Sequence, residues 1–84
     1  MTRRSRTKVI IDILTEALDG ANKTRIMYRA NLNFLRFNSY LAELLESELL
    51  KEENHENGRV VYKVTKSGRD LLMTLRKAEE FISV

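Results

Sequence analysis

Five residues at the start of one candidate helix carry groups that can read the edge of a base: Asn33, Leu35, Arg36, Ser39 and Tyr40. The Arg36 guanidinium can bind guanine O6 and N7 through two hydrogen bonds, or hold a phosphate. Ser39 can donate to either, and Leu35 offers methyl groups to a thymine methyl. Asn33 has a competing role, because its short amide is also a good helix cap and cannot readily do both. A second set supplies charge and donors without sequence discrimination. Lys23, Thr24 and Arg25 open the preceding helix, where free N–H groups and the helix dipole favour an anion. Arg59 and Lys63 flank a hairpin. Arg3, Arg4 and Arg6 form a basic arm over residues 1–6 that can follow a phosphate backbone or reach a minor groove. Each cation taken singly is more often a solvated surface charge; the set carries more weight than its members.

No catalytic set accompanies them. The chain lacks cysteine, a P-loop and a Gly-rich phosphate fingerprint, and its carboxylates fall on exposed positions. His55 is the sole histidine and stands among Glu52, Glu53 and Glu56. One imidazole with mobile carboxylates lacks fixed ligand spacing, so it reads as a solvated loop residue, not a metal ligand or pH switch. The sequence thus points away from an enzyme, and toward no metal, cofactor or small-molecule ligand.

The elements that must position these residues follow from periodicity. Residues 6–19 read as an amphipathic helix, with Val9, Ile10, Ile13, Leu14, Ala17 and Leu18 on one side and Asp12, Glu16 and Asp19 elsewhere. Gly20 suits a left-handed C-terminal cap. Asn22 caps a short second helix, Lys23–Ala30, whose inner side is Ile26, Met27 and Ala30. Asn31 and Asn33 bracket a tight joint. The third helix spans about 34–47, with Phe34, Phe37, Leu41, Leu44 and Leu45 on one face and Arg36, Ser39, Glu43 and Glu46 on the other. Glu43 and Glu46 should be repelled by phosphate, which directs the C-terminal half of this helix out of a groove.

Residues 51–54 and 59–64 read as two short antiparallel strands, with Val60, Tyr62 and Val64 alternating with Val61 and Lys63. Asn57-Gly58 is the preferred pair for a type I′ turn, in which both residues take positive φ. Thr65 caps a last helix, about 66–82, whose residues Leu71, Leu75, Ala78 and Ile82 form a heptad-like seam of about two repeats. The seam can pair two copies or pack on the first helix of the same chain. Tyr28, Tyr40 and Tyr62 read as partly buried aromatics with hydroxyls at the surface.

Composition bounds the rest. The 84 residues suffice for one domain, 1–84, with 43% hydrophobic and 32% charged residues in an ordinary globular balance. A core of this size is marginal, so a partner subunit would help to bury apolar surface. The net charge of +3 is modest but uneven, with six glutamates between Glu43 and Glu56. The longest apolar runs, such as Val9-Ile10-Ile11, are too short to span a bilayer, and no signal-peptide core follows the basic start. The expectation is a cytoplasmic protein without a membrane partner.

Helix, helix–joint–helix, hairpin, helix is the order of a winged helix-turn-helix. Specific stretches support that order. Lys23-Thr24-Arg25-Ile26-Met27-Tyr28-Arg29-Ala30-Asn31-Leu32-Asn33 resembles the second-helix segment of small archaeal winged helix-turn-helix proteins. Two further patterns match, one from Tyr40 to Leu50 and one from Tyr62 to Leu72, so the resemblance covers about residues 7–76. It implies an α+β, mostly α fold with a three-helix core, a two-stranded wing and a C-terminal helix. It also implies DNA binding as a transcription regulator or chromatin-associated protein, often dimeric through the C-terminal helix, residues 66–82. Two departures stand out. Glu48 occupies a turn where the family often has Gly, and the final helix stops at Val84, short of a long coiled coil. The sequence therefore predicts a homodimer on double-stranded DNA, with helix 34–47 in the major groove and the wing and arm on phosphates. The alternative is a winged-helix module that binds protein and not DNA.

Overall fold

The computed structural model describes residues 5–82, with Ile82 as backbone only. The order is α1 (Arg6–Glu16), α2 (Lys23–Ala30), α3 (Phe34–Glu46), β1 (Leu50–Asn54), β2 (Val60–Val64) and α4 (Lys66–Ile82). β1 and β2 pair antiparallel in the register Leu50↔Val64, Glu52↔Tyr62, Asn54↔Val60. This is the expected α+β, mostly helical winged helix-turn-helix arrangement.

Local chemistry sets the helix starts. The Ser5 hydroxyl accepts the Lys8 N–H at 3.1 Å, Asn22 Oδ1 accepts the Arg25 N–H at 2.9 Å, and Asn33 Oδ1 accepts the Arg36 N–H at 2.8 Å. Each satisfies an N–H that its helix leaves without an internal partner. Thr65 does the same for α4, its hydroxyl oxygen accepting the Gly68 N–H at 3.0 Å. The same hydroxyl donates to the Glu48 carbonyl at 2.6 Å, which ties the start of α4 to the turn after α3.

The helix ends show why the chain bends where it does. α1 stops at Glu16, short of the expected residue 19, because Ala17 turns under the wing: its carbonyl accepts from Gly20 N–H and from Val64 N–H, both at 3.1 Å. Asn31 closes α2 in the left-handed region at φ 53°. After α3, Glu48 is left-handed at φ 58°. The Glu48 N–H reaches the Leu45 carbonyl at 3.1 Å and the Leu49 N–H reaches Leu44 at 2.9 Å. That pairing is a Schellman cap, so Glu48 occupies the position where glycine costs least.

The hairpin differs from its expected form. Asn57 is not left-handed; Gly58 is, at φ 81°. The Gly58 N–H donates to the His55 carbonyl and His55 N–H to the Arg59 carbonyl, both at 2.9 Å. Three residues therefore close the hairpin, as a turn followed by a left-handed glycine, and a two-residue type I′ turn is not formed.

The core draws fully buried large side chains from every element but β2: Ile13 and Leu14 from α1, then Ile26, Phe37, Leu50 and Leu72. β2 adds Tyr62 and Val64. α1 lies between α2 and α4. It is therefore buried on more than one stripe, and Ile11 and Asp12 go inside although the helical pattern placed Asp12 outside. α4 packs Leu72 fully and Leu71 and Leu75 partly against this core, and the Arg76 guanidinium donates to the Thr15 hydroxyl at 2.9 Å. Beyond that point α4 leaves the body: Ala78 is exposed and Phe81 is 88% exposed.

Candidate nucleic-acid interface

α3 presents the residues expected to read a groove as its sequence pattern requires. Burial of Phe37, Leu41 and Leu44 turns Leu35, Arg36 and Ser39 outward, and all three are exposed. The Arg36 side chain has no ion-pair or hydrogen-bond partner among the described residues, so its five donors are available. Asn33 is committed to capping through Oδ1. Tyr40 is half-buried, and its ring lies under the Arg6 guanidinium at 5.4 Å to the centroid.

Arg6 is the first residue of α1, and its guanidinium also pairs with the Glu43 carboxylate. The cation from one helix thus offsets an acidic residue on the exposed side of α3, which reduces the repulsion expected there. Arg3 and Arg4 lie outside the described residues.

Four of the residues expected on phosphates meet in one cleft. A cleft of about 550 Å³ opens between the N-terminus of α2 and the wing, and its walls include Lys23, Thr24, Arg25 and Arg59. Val60 and Val61 approach from β2, because Gly20 and Ala21 run beside that strand: Ala21 and Tyr62 exchange N–H···O bonds of 3.0 and 2.9 Å. A Cβ on Gly20 would meet Val61 Cγ1 at 2.9 Å, so both its φ of 93° and this close approach call for glycine. Periodicity gave no sign of this bridge, since a single extended residue has no repeat to read.

Not every cation in the set is free. Arg25 donates to Glu16 at 2.7 Å, and Arg29 lies 3.8 Å from the same carboxylate. The Lys23 ammonium sits over the Phe34 ring at 5.4 Å to the centroid. Lys63 is half-buried on β2 opposite Lys51, away from this cleft.

His55 is an exposed loop residue, as expected; it lines the cleft, with Nε2 3.9 Å from Glu53 Oε1. Two other residues differ from their expected places. Phe34, assigned to the core face of α3, is 60% exposed, because it begins the helix beyond the reach of the core. Tyr28 is 80% exposed on the outer side of α2, not partly buried. Tyr62 is the buried tyrosine; burial raises its hydroxyl pKa above the usual 10.0, and the neighbouring Glu52 carboxylate adds to the shift. Among the described residues no His, Asp or Glu side chains gather as a metal site, and no helix is long and apolar enough to cross a membrane.

A family model described as winged helix-turn-helix matches residues 3–83. The chain belongs to the winged helix-turn-helix family. It is 30% identical over 82 residues to an uncharacterized protein of Methanocaldococcus jannaschii, covering 96% of this chain and 79% of that one. In fold it is similar to the crystal structure of Sso10a-2, a DNA-binding protein from Sulfolobus solfataricus. The TM-score is 0.80 and the identity 23%, with 93% of this chain and 81% of that chain covered. Both relatives come from archaea, in keeping with the resemblance read from the second-helix segment. On the winged helix-turn-helix frame, α2 and α3 are the helix-turn-helix pair and β1–β2 is the wing.

Proposed function

We propose that this protein binds double-stranded DNA as a homodimeric regulator of transcription, with the start of α3 in the major groove. The observation that carries the reading is the exposed Leu35-Arg36-Ser39 face, whose Arg36 has no partner among the described residues, set on the second helix of a helix-turn-helix. That is where such folds place base-reading side chains. Lys23, Thr24 and Arg59, around the cleft between α2 and the wing, would hold phosphates on one flank. Arg25 would contribute field more than contact, because Glu16 already holds its guanidinium. Arg3 and Arg4 remain proposed arm residues. The DNA-binding character of Sso10a-2 supports the same direction.

Leu71, Leu75, Ala78 and Ile82 remain the proposed dimer seam. Leu71 and Leu75 already share their surface with their own core. The new contact would therefore centre on Ala78 and on Phe81, the last exposed aromatic.

The test is fluorescence anisotropy of a labelled mixed-sequence duplex at low and moderate salt. Binding whose log affinity falls steeply with log salt supports the reading, since each neutralised phosphate releases counterions. No binding at low salt overturns it in favour of a protein-interaction module.

A further inference from the structure

The outer side of α2 has a second opening, beside the basic cleft. Thr24, Met27, Tyr28 and Asn31 recur at spacings of three and four and so form one stripe along the helix. With Leu32 they line a cleft of about 360 Å³. Its floor is apolar, through Met27 and Leu32, and Tyr28, 80% exposed, stands as a free aromatic wall. Thr24 lines this cleft and also the basic one beside it. Lys23, in the wall of the basic cleft, also reaches over the exposed ring of Phe34. A cationic depression thus adjoins, through Thr24, an apolar one walled by an exposed aromatic ring.

We infer that this arrangement holds an unpaired nucleotide, so that the protein also binds single-stranded DNA. A nucleotide has the same layout, a flat ring joined through one sugar to an anion. The base would stack on Tyr28 over the apolar floor, and its phosphate would lie across Thr24, toward Lys23 and Arg59. Stacking on an aromatic side chain needs a free base face, which paired bases inside a duplex do not offer. A purely apolar partner would cover Tyr28 but would leave the adjoining cations unused. The choice of DNA rests on the reading above, because this face is continuous with the one proposed for duplex.

The experiment titrates the full chain, the Tyr28→Ala variant and the Tyr28→Phe variant into a labelled mixed-sequence single strand and into the duplex of the same sequence. The expected result is single-strand affinity within about tenfold of the duplex. Tyr28→Ala should weaken the single strand about tenfold or more, as loss of one base–aromatic stack does, and Tyr28→Phe should retain it. The duplex should change by less than about twofold. Tyr28 is exposed, so the variants should fold, which circular dichroism checks. An equal loss on both substrates, or no loss on the single strand, overturns the proposal. Single-strand binding that depends on Tyr28 with no duplex binding would sink the duplex reading and leave this one standing. Duplex binding without single-strand binding does the reverse.

Discussion

Arg36, at the start of α3, has no partner among the described residues, whereas Arg6 and Arg25 are held by Glu43 and Glu16. If it reads guanine, Arg36→Ala costs about 1–3 kcal/mol on a preferred site and little on other sequences. Competition between preferred and scrambled duplexes measures that ratio, and a uniform loss makes Arg36 a phosphate contact. Tyr62 gives a second test. Its folded pKa lies above 10.0 through burial and then Glu52, so the folded state holds its proton more tightly than the unfolded chain. The resulting stability is complete below pH 10 and declines as pH rises through the raised value. Urea titrations across the alkaline range should show that decline, and Tyr62→Phe should flatten it. Some of these residues were legible from sequence and some were not. Asn22 and Asn33 were readable as caps because a cap depends on atoms three residues away. The Arg6–Glu43 pair joins positions 37 apart, and the exposure of Tyr28 and Phe34 depends on which elements fail to cover them. Neither is encoded in a local pattern.

α4 begins against a backbone that leaves no room for a side chain. A Cβ on Gly68 would lie 2.1 Å from the Leu49 carbonyl oxygen and 2.8 Å from Val64 Cγ1. In an exposed helix Gly→Ala gains about 1 kcal/mol. Here the sign reverses: Gly68→Ala should destabilise by about 2 kcal/mol or more, because α4 must move off β2 and the turn. Chemical denaturation reads this directly, and a stabilised variant would refute the packing. At the other cap, Glu48 pays the left-handed penalty that glycine avoids. Glu48→Gly should therefore raise stability by up to about 1 kcal/mol in the same assay. The order of elements was visible in the sequence because each helix and strand has its own period and punctuation. Boundaries were less visible where a distant group sets them. α1 ends early because Val64, far along the chain, takes the Ala17 carbonyl. The hairpin turn takes its form from which residue accepts positive φ, and Asn57-Gly58 satisfies two alternatives by sequence alone.

The described residues extend 44 × 28 × 19 Å, and the last turns of α4 project with Ala78 and Phe81 uncovered. If that projection pairs two copies, Ala78→Glu should give monomers by light scattering without loss of helical signal, since Ala78 touches no core. An unchanged mass would remove α4 as the seam. The same face could not be judged from the heptad pattern, because Leu71 and Leu75 serve the chain's own core and the seam at once. One small contact has a wider reach than its size suggests. The paired hydrogen bonds between Ala21 and Tyr62 close a ring of chain that contains all of α2, α3, β1 and the hairpin turn. Such closure carries an entropic cost that grows with the length of the ring. The amides of Ala21 and Tyr62 therefore report on assembly itself. In a native-state exchange experiment they should open together, at the free energy of losing the wing from the body.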